Sequence, residues 1–163
     1  MILEIGETLV YPHHGAVTVT GKAIKKVKGE EKTYITLHVH TSELTIQLPV
    51  DNFELVGVRD VIDSDGVSEV YGVLRADVVE EPTNWSRRYK ANQEKMASGS
   101  VIRVAEVVRD LWRRENSGGV SAGEKRMLLK ARQILESELA LALKGSGGDA
   151  AAALDEVLAT PAA

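Results

Sequence analysis

The segment Thr83–Lys95, TNWSRRYKANQEK, sets Trp85 and Tyr89 among Arg87, Arg88, Lys90 and Lys95. A flat indole can stack on an unpaired base or wedge into a base step, and the cations around it suit a phosphate backbone. The chain as a whole is acidic, with 20 Lys+Arg against 24 Asp+Glu. Yet Asn84–Arg132 holds twelve basic residues (Arg87, Arg88, Lys90, Lys95, Arg103, Arg109, Arg113, Arg114, Lys125, Arg126, Lys130, Arg132) against five acidic ones, so this window is +7 and the rest −11. Such a concentrated positive field is the footprint of nucleic-acid binding, and an excess of this size argues against full internal neutralisation. No Asn, Gln or Arg spacing for reading bases is present, so the contact is expected to be independent of sequence.

Other chemistries find less support. Cysteine is absent, which excludes disulfides, thiolate catalysis and Cys-ligated zinc. His13 with His14, and His38 with His40, lack a carboxylate cluster at ligand spacing, so no metal is expected. Asp63, Asp65 and Gly66 resemble a calcium loop whose later ligands are missing. No phosphate loop, nucleophile elbow or paired carboxylates occur, and an enzyme is not expected. Trp112 falls in the apolar stripe of its own helix and reads as core. Trp85 has polar or basic neighbours at 84, 86, 87 and 88 and reads as exposed; the alternative is that, with Tyr89 and Met96, it staples the helix to a bundle.

The elements that must hold these residues differ between two halves. In residues 1–58, Val17 and Val19, then Ile35, Leu37 and Val39, then Leu44, Ile46 and Leu48, alternate with polar residues. This is the period of half-buried strands. Lys28-Gly29-Glu30 and His40–Glu43 read as turns, Tyr11–Gly15 as a turn entering the sheet, and Pro49 as a strand end. Four to five short antiparallel strands predict a small barrel of the SH3 or Tudor type. Lys22, Lys25, Lys26, Lys28 and Lys32 cluster near Gln47, either to protect an exposed edge or to dock on a protein, through an acidic surface or by strand addition.

Residues 59–163 predict helices: Val67–Arg75; one capped by Thr83 or Asn84 after the Glu80-Glu81-Pro82 break; one capped by Ser100 with the stripe Val101, Val104, Ala105, Val108, Leu111 and Trp112; one opened by a Ser121/Glu124 capping box; and, after Lys144-Gly-Ser-Gly-Gly, an Ala-rich helix capped by Asp149. The fold class is thus α+β, an antiparallel barrel followed by an all-α bundle.

The stretches VYPHHGA, EEPTNWSRRYKAN, VAEVVRDLWRR and VSAGEKRML strongly resemble the actinobacterial CarD-type transcription factors of the CarD/CdnL family, from about residue 1 to 143. The resemblance implies a Tudor-like RNA-polymerase-interaction domain, similar to that of the bacterial transcription-repair coupling factor, joined to a helical DNA-binding domain. It implies binding to the RNA polymerase β subunit and stabilisation of the promoter open complex, including at ribosomal RNA promoters, through the minor groove at the upstream edge of the bubble. The family's tryptophan wedge matches Trp85. Its basic DNA contacts match Arg87 and Lys90, with Lys125 and the adjacent Arg88 joining them. Its polymerase contacts fall on Lys25 and Gln47, both commonly arginine in mycobacterial members; Lys25 keeps the charge without the planar fork and Gln47 loses it. The expected protein is a monomer of the cytoplasm, associated with the nucleoid through polymerase, without cofactor, metal or membrane. The readings set against it are a polymerase-bound adaptor that touches no DNA and a free-standing architectural DNA binder.

Overall fold

The computed structural model describes residues 3–77, 81–144 and 147–160. Glu80 of the Glu80-Glu81-Pro82 break, and Gly145 and Ser146 of the glycine-rich break, lie outside them.

Four antiparallel strands, β1 (Thr8–Tyr11), β2 (Gly15–Val27), β3 (Glu30–Val39) and β4 (Thr45–Pro49), pair in the order β1-β2-β3-β4. The alternation read from the sequence buries Val17, Val19, Ile35, Leu37, Val39 and Leu48 on one face, where Leu9 of β1 joins them and Phe53 packs against them. One feature differs from expectation: the strands are not all short, because β2 and β3 run on as a long ribbon whose register shifts between Val19 and Gly21. The sheet curls into a half-barrel, in line with the barrel read from the alternation, with β1 and β4 at its edges. Lys28 (φ 53°) and Gly29 (φ 84°) form the two-residue turn at the ribbon's tip, where both central residues need positive φ. Leu44 is exposed rather than inward: it precedes β4, in the turn where its carbonyl accepts from the Val39 amide.

A 3-10 turn (Val50–Asn52) and the short α1 (Phe53–Val56) lead to α2 (Ser64–Arg75), α3 (Trp85–Ala97), α4 (Val101–Asn116), α5 (Ala122–Ala142) and α6 (Gly147–Ala159). The caps are Asp63, Asn84, Ser100 and Ser121, each side chain accepting a backbone N–H three residues on. Capped by Asp63, α2 starts at Ser64, three residues before the expected Val67. Asp149 is not a cap. The helix begins at Gly147, which places this acid in the first turn, where a carboxylate also meets the positive end of the helix. A second core forms among Val70, Leu74, Val107, Val108, Leu111, Ala131, Leu135, Leu139 and Leu154. Trp112 packs against that core only in part.

The two cores meet through the turn between β1 and β2. Pro12 is buried against Gly99, and the Ala16 amide donates to Ser137 Oγ of α5 at 3.0 Å. Arg59, paired by backbone to Val10, donates both arms of its guanidinium to Glu138, at 2.7 Å each, and its Nε to the Gly99 carbonyl at 2.8 Å. Glu138 also accepts from the Ile62 amide at 3.0 Å, so a 2%-exposed carboxylate is fully engaged. Gly15 allows this approach. Its φ is +78°, and a Cβ there would stand 2.7 Å from Ser137 Oγ and 3.2 Å from the Ile134 backbone. Gly15→Ala is expected to destabilise the protein by roughly 2 kcal/mol, lowering Tm by about 6 °C in a thermal melt; an unchanged melt would show that α5 and the turn can separate freely.

Candidate nucleic-acid interface

Helix α3 buries Arg88, Asn92 and Met96. By helical phase Trp85 and Tyr89 share that side. Trp85 is nevertheless 46% exposed, in the first turn of α3 and beside Ser121 at the start of α5. Its Nε1–H donates to Ser121 Oγ at 2.9 Å, and its ring stacks on Tyr89 with centroids 5.3 Å apart and an interplanar angle of 21°. The ring is therefore both solvent-facing and fixed.

The twelve cations of the basic window separate into two classes. Most are consumed inside the fold. Arg88 is 6% exposed and donates from Nε and Nη2 to Glu124, at 3.0 and 3.3 Å. This corrects its expected place among the DNA contacts: a guanidinium buried between α3 and α5 and held by a carboxylate has no face to offer a phosphate. Arg109 is buried on Asp110 and the Val73 carbonyl, and Arg113 reaches the Leu74 carbonyl. Lys95 and Arg103 share Glu106. Arg114 takes Glu81, and Arg132 takes Glu136 and Asp155. Three of those acids lie outside the window, so the local excess of charge is neutralised more than a count within it suggests.

Five cations remain exposed with no ion-pair partner among the described residues: Arg87, Lys90, Lys125, Arg126 and Lys130. They occupy only α3 and the first half of α5, the two helices that meet at Trp85 and Ser121. Three of the expected contacts, Arg87, Lys90 and Lys125, are in this set. Arg126 and Lys130 extend it along α5, and their i,i+4 spacing was the available signal. His14 is held below the usual histidine range by burial first, then by Lys130 and His13.

The buried pair beneath Trp85 is tuned as well. Burial pushes the Glu124 carboxyl up, but the Arg88 guanidinium and the Ser121 amide and hydroxyl together overcome it and hold the group below its ordinary value. Among the described residues no three His, Asp or Glu groups are placed to hold a metal, and no helix is long and apolar enough to cross a membrane.

On the sheet, Lys25 and Gln47, 22 residues apart, come together. Lys25 Nζ donates to Gln47 Oε1 at 3.0 Å and lies 5.2 Å from the centroid of the Tyr34 ring, across the outward face of β2, β3 and β4. Both residues are exposed.

Residues 3–62 match the family model described as the CarD-like/TRCF RID domain, and residues 69–155 match that of the CarD C-terminal domain. A Bacillus subtilis (strain 168) protein named "Putative transcription factor YdeB" is 31% identical over 138 residues, 85% of this chain and 90% of that protein. The solution NMR structure of the 72-residue N-terminal domain of Myxococcus xanthus CarD is 28% identical, covering 36% of this chain and 77% of that one, with a TM-score of 0.31. With both halves matched in order, and a relative alike over nearly its whole length, the chain belongs to the CarD family.

Proposed function

We propose that this protein is a non-catalytic regulator of transcription that docks on the RNA polymerase β subunit and stabilises the promoter open complex. The observation that carries the reading is Trp85: an exposed, braced indole bordered by the only cluster of unpaired cations on α3 and α5 among the described residues. An indole backed by fixed neighbours can prop a partly unstacked base step, and Arg87, Lys90 and Lys125 can hold the flanking phosphates. The polymerase contact falls to the face around Lys25, Gln47 and Tyr34, on the half of the chain that matches the RID model.

The two surfaces work by tethering. Attachment to polymerase raises the local concentration of the helical half at the promoter to roughly millimolar, so a handful of phosphate contacts suffices for a chain of net charge −4. The wedge favours the distorted junction at the upstream edge of the bubble over closed duplex, and that difference in affinity shifts the opening equilibrium.

Lys25→Glu is expected to weaken capture of the β subunit at least about tenfold, because it sets a like charge against a surface selected for a cation. Pull-down with purified β subunit checks this, and undiminished capture would remove the Lys25–Gln47 face from the scheme. A salt titration on forked promoter DNA separates the regulator from an adaptor that never touches DNA, which predicts no DNA-dependent signal at any salt.

A further inference from the structure

We propose that Ser121 is a positioning residue for Trp85, holding the indole erect before any duplex arrives, with Tyr89 backing the same ring. The inference rests on the wedge reading above and names the group that makes the wedge stiff.

Ser121 stands 36 residues beyond Trp85, at the start of a different helix, so the ring is fixed from two elements at once. A serine hydroxyl has one proton and two lone pairs, and all three are used here. Its oxygen accepts from Trp85 Nε1 at 2.9 Å and from the Glu124 amide at 3.1 Å, while its proton goes to Glu124 Oε1 at 3.2 Å. Glu124 in turn is held by Arg88, three residues after Trp85 on α3. The chain of contacts from Trp85 through Ser121 and Glu124 to Arg88 thus closes on the helix where it began. Ser121 serves as the cap of α5 and as the anchor of the indole with the same atom.

Two consequences bear on DNA. An indole pushed between bases loses the water on its N–H, which is unfavourable unless the donor already has a partner; Ser121 supplies that partner in the free protein. A side chain already confined to one orientation also escapes the entropic penalty of being ordered on binding. Tyr89 occupies one ring face, so the opposite face is the one left for a base.

The test uses Ser121→Gly, which removes the hydroxyl while keeping a residue tolerated at a helix N-cap, and Ser121→Thr, which restores the hydroxyl. Both are made in a Trp112→Phe background, so that Trp85 is the sole fluorophore of its kind. Time-resolved anisotropy of the indole is expected to show a faster, wider motion in Ser121→Gly and native behaviour in Ser121→Thr, with Tm changed by no more than about 3 °C. Open-complex lifetime is expected to fall about threefold in Ser121→Gly and to recover in Ser121→Thr. In a Trp85→Ala protein the same Ser121→Gly change should have no further effect on lifetime. Unaltered anisotropy in Ser121→Gly, or an equal lifetime loss with and without Trp85, overturns the proposal. Wider indole motion combined with a Trp85→Ala protein of normal lifetime would instead support the anchor and sink the wedge.

Discussion

Open complexes formed with Trp85→Ala protein are expected to collapse about tenfold faster than those formed with the unaltered protein, while capture of the β subunit stays the same. The magnitude follows from area and geometry. A tryptophan presents roughly 200 Å², and Trp85 leaves about half of its surface in water. Covering that remainder against a base contributes about 2 kcal/mol at ~25 cal/mol per Å². Part of it offsets the unstacking of the step, and a net of about 1.4 kcal/mol is tenfold in a rate. Trp85→Phe keeps a flat ring but lacks the N–H that reaches Ser121, so it should fall between the two. Alanine at Arg87, Lys90 or Lys125 should act differently, lowering the salt slope of DNA binding by about one for each phosphate left without its cation. Arg88→Ala should not join that series, because its charge never faces solvent. Lifetimes measured on a ribosomal promoter by competitor challenge decide the matter: if Trp85→Ala complexes persist as long as the originals, the indole is no wedge.

How much of this was legible in the sequence varies with the range of the interaction. Local rules performed well. Asn84, Ser100 and the Ser121/Glu124 box all open helices, and alternation along β2 and β3 picks out the buried valines, isoleucine and leucine. The failures are long-range or terminal. Trp85 is not among them: its polar and basic neighbours mark it as exposed although helical phase puts it on the inward side of α3, and it is exposed in the first turn of that helix. Arg88 reads as one more surface cation until its partner, 36 residues away, is brought beneath it. Counting charge within a window misses Glu81, Glu136 and Asp155, which enter from outside. The joint between the halves, with Arg59 forked onto Glu138 and Gly15 laid on α5, has no local signature beyond a glycine in a turn. Leu44 follows the strand period but precedes the strand. The roles of Lys25 and Gln47 come from family likeness; periodicity marks them only as neighbours on an exposed face.

Glu124→Ala is expected to be the most destabilising single change at this site. Both members of the Arg88–Glu124 pair are buried, at 6% and 0% exposure, and removing the carboxylate strands a guanidinium between α3 and α5. A buried charge left without its partner costs about 3–5 kcal/mol, or about 10 °C in Tm for a chain of this size. The capping box disappears with it, since Glu124 also accepts from the Ser121 amide. Replacing both partners, Arg88→Met with Glu124→Leu, should recover much of the loss, which would locate it in the orphaned charge rather than in the volume removed. Acid supplies an independent check. The Glu124 carboxyl titrates below its ordinary value in the folded protein, so its contribution is complete about one pH unit above the ordinary glutamate value of 4.5, where the unfolded chain is also fully ionised. It declines as pH falls through the depressed folded value. Glu124→Ala lacks that contribution at every pH, so the Tm gap between the two proteins should be constant near neutrality and close progressively in acid. A gap that persists unchanged at the lowest pH where both proteins fold would mean that the ion pair is not what joins the two helices. Because the same carboxylate accepts the Ser121 proton, Glu124→Ala should also shorten open-complex lifetime at temperatures where it remains folded. Its stability and its effect on DNA would then be two readings of one buried contact.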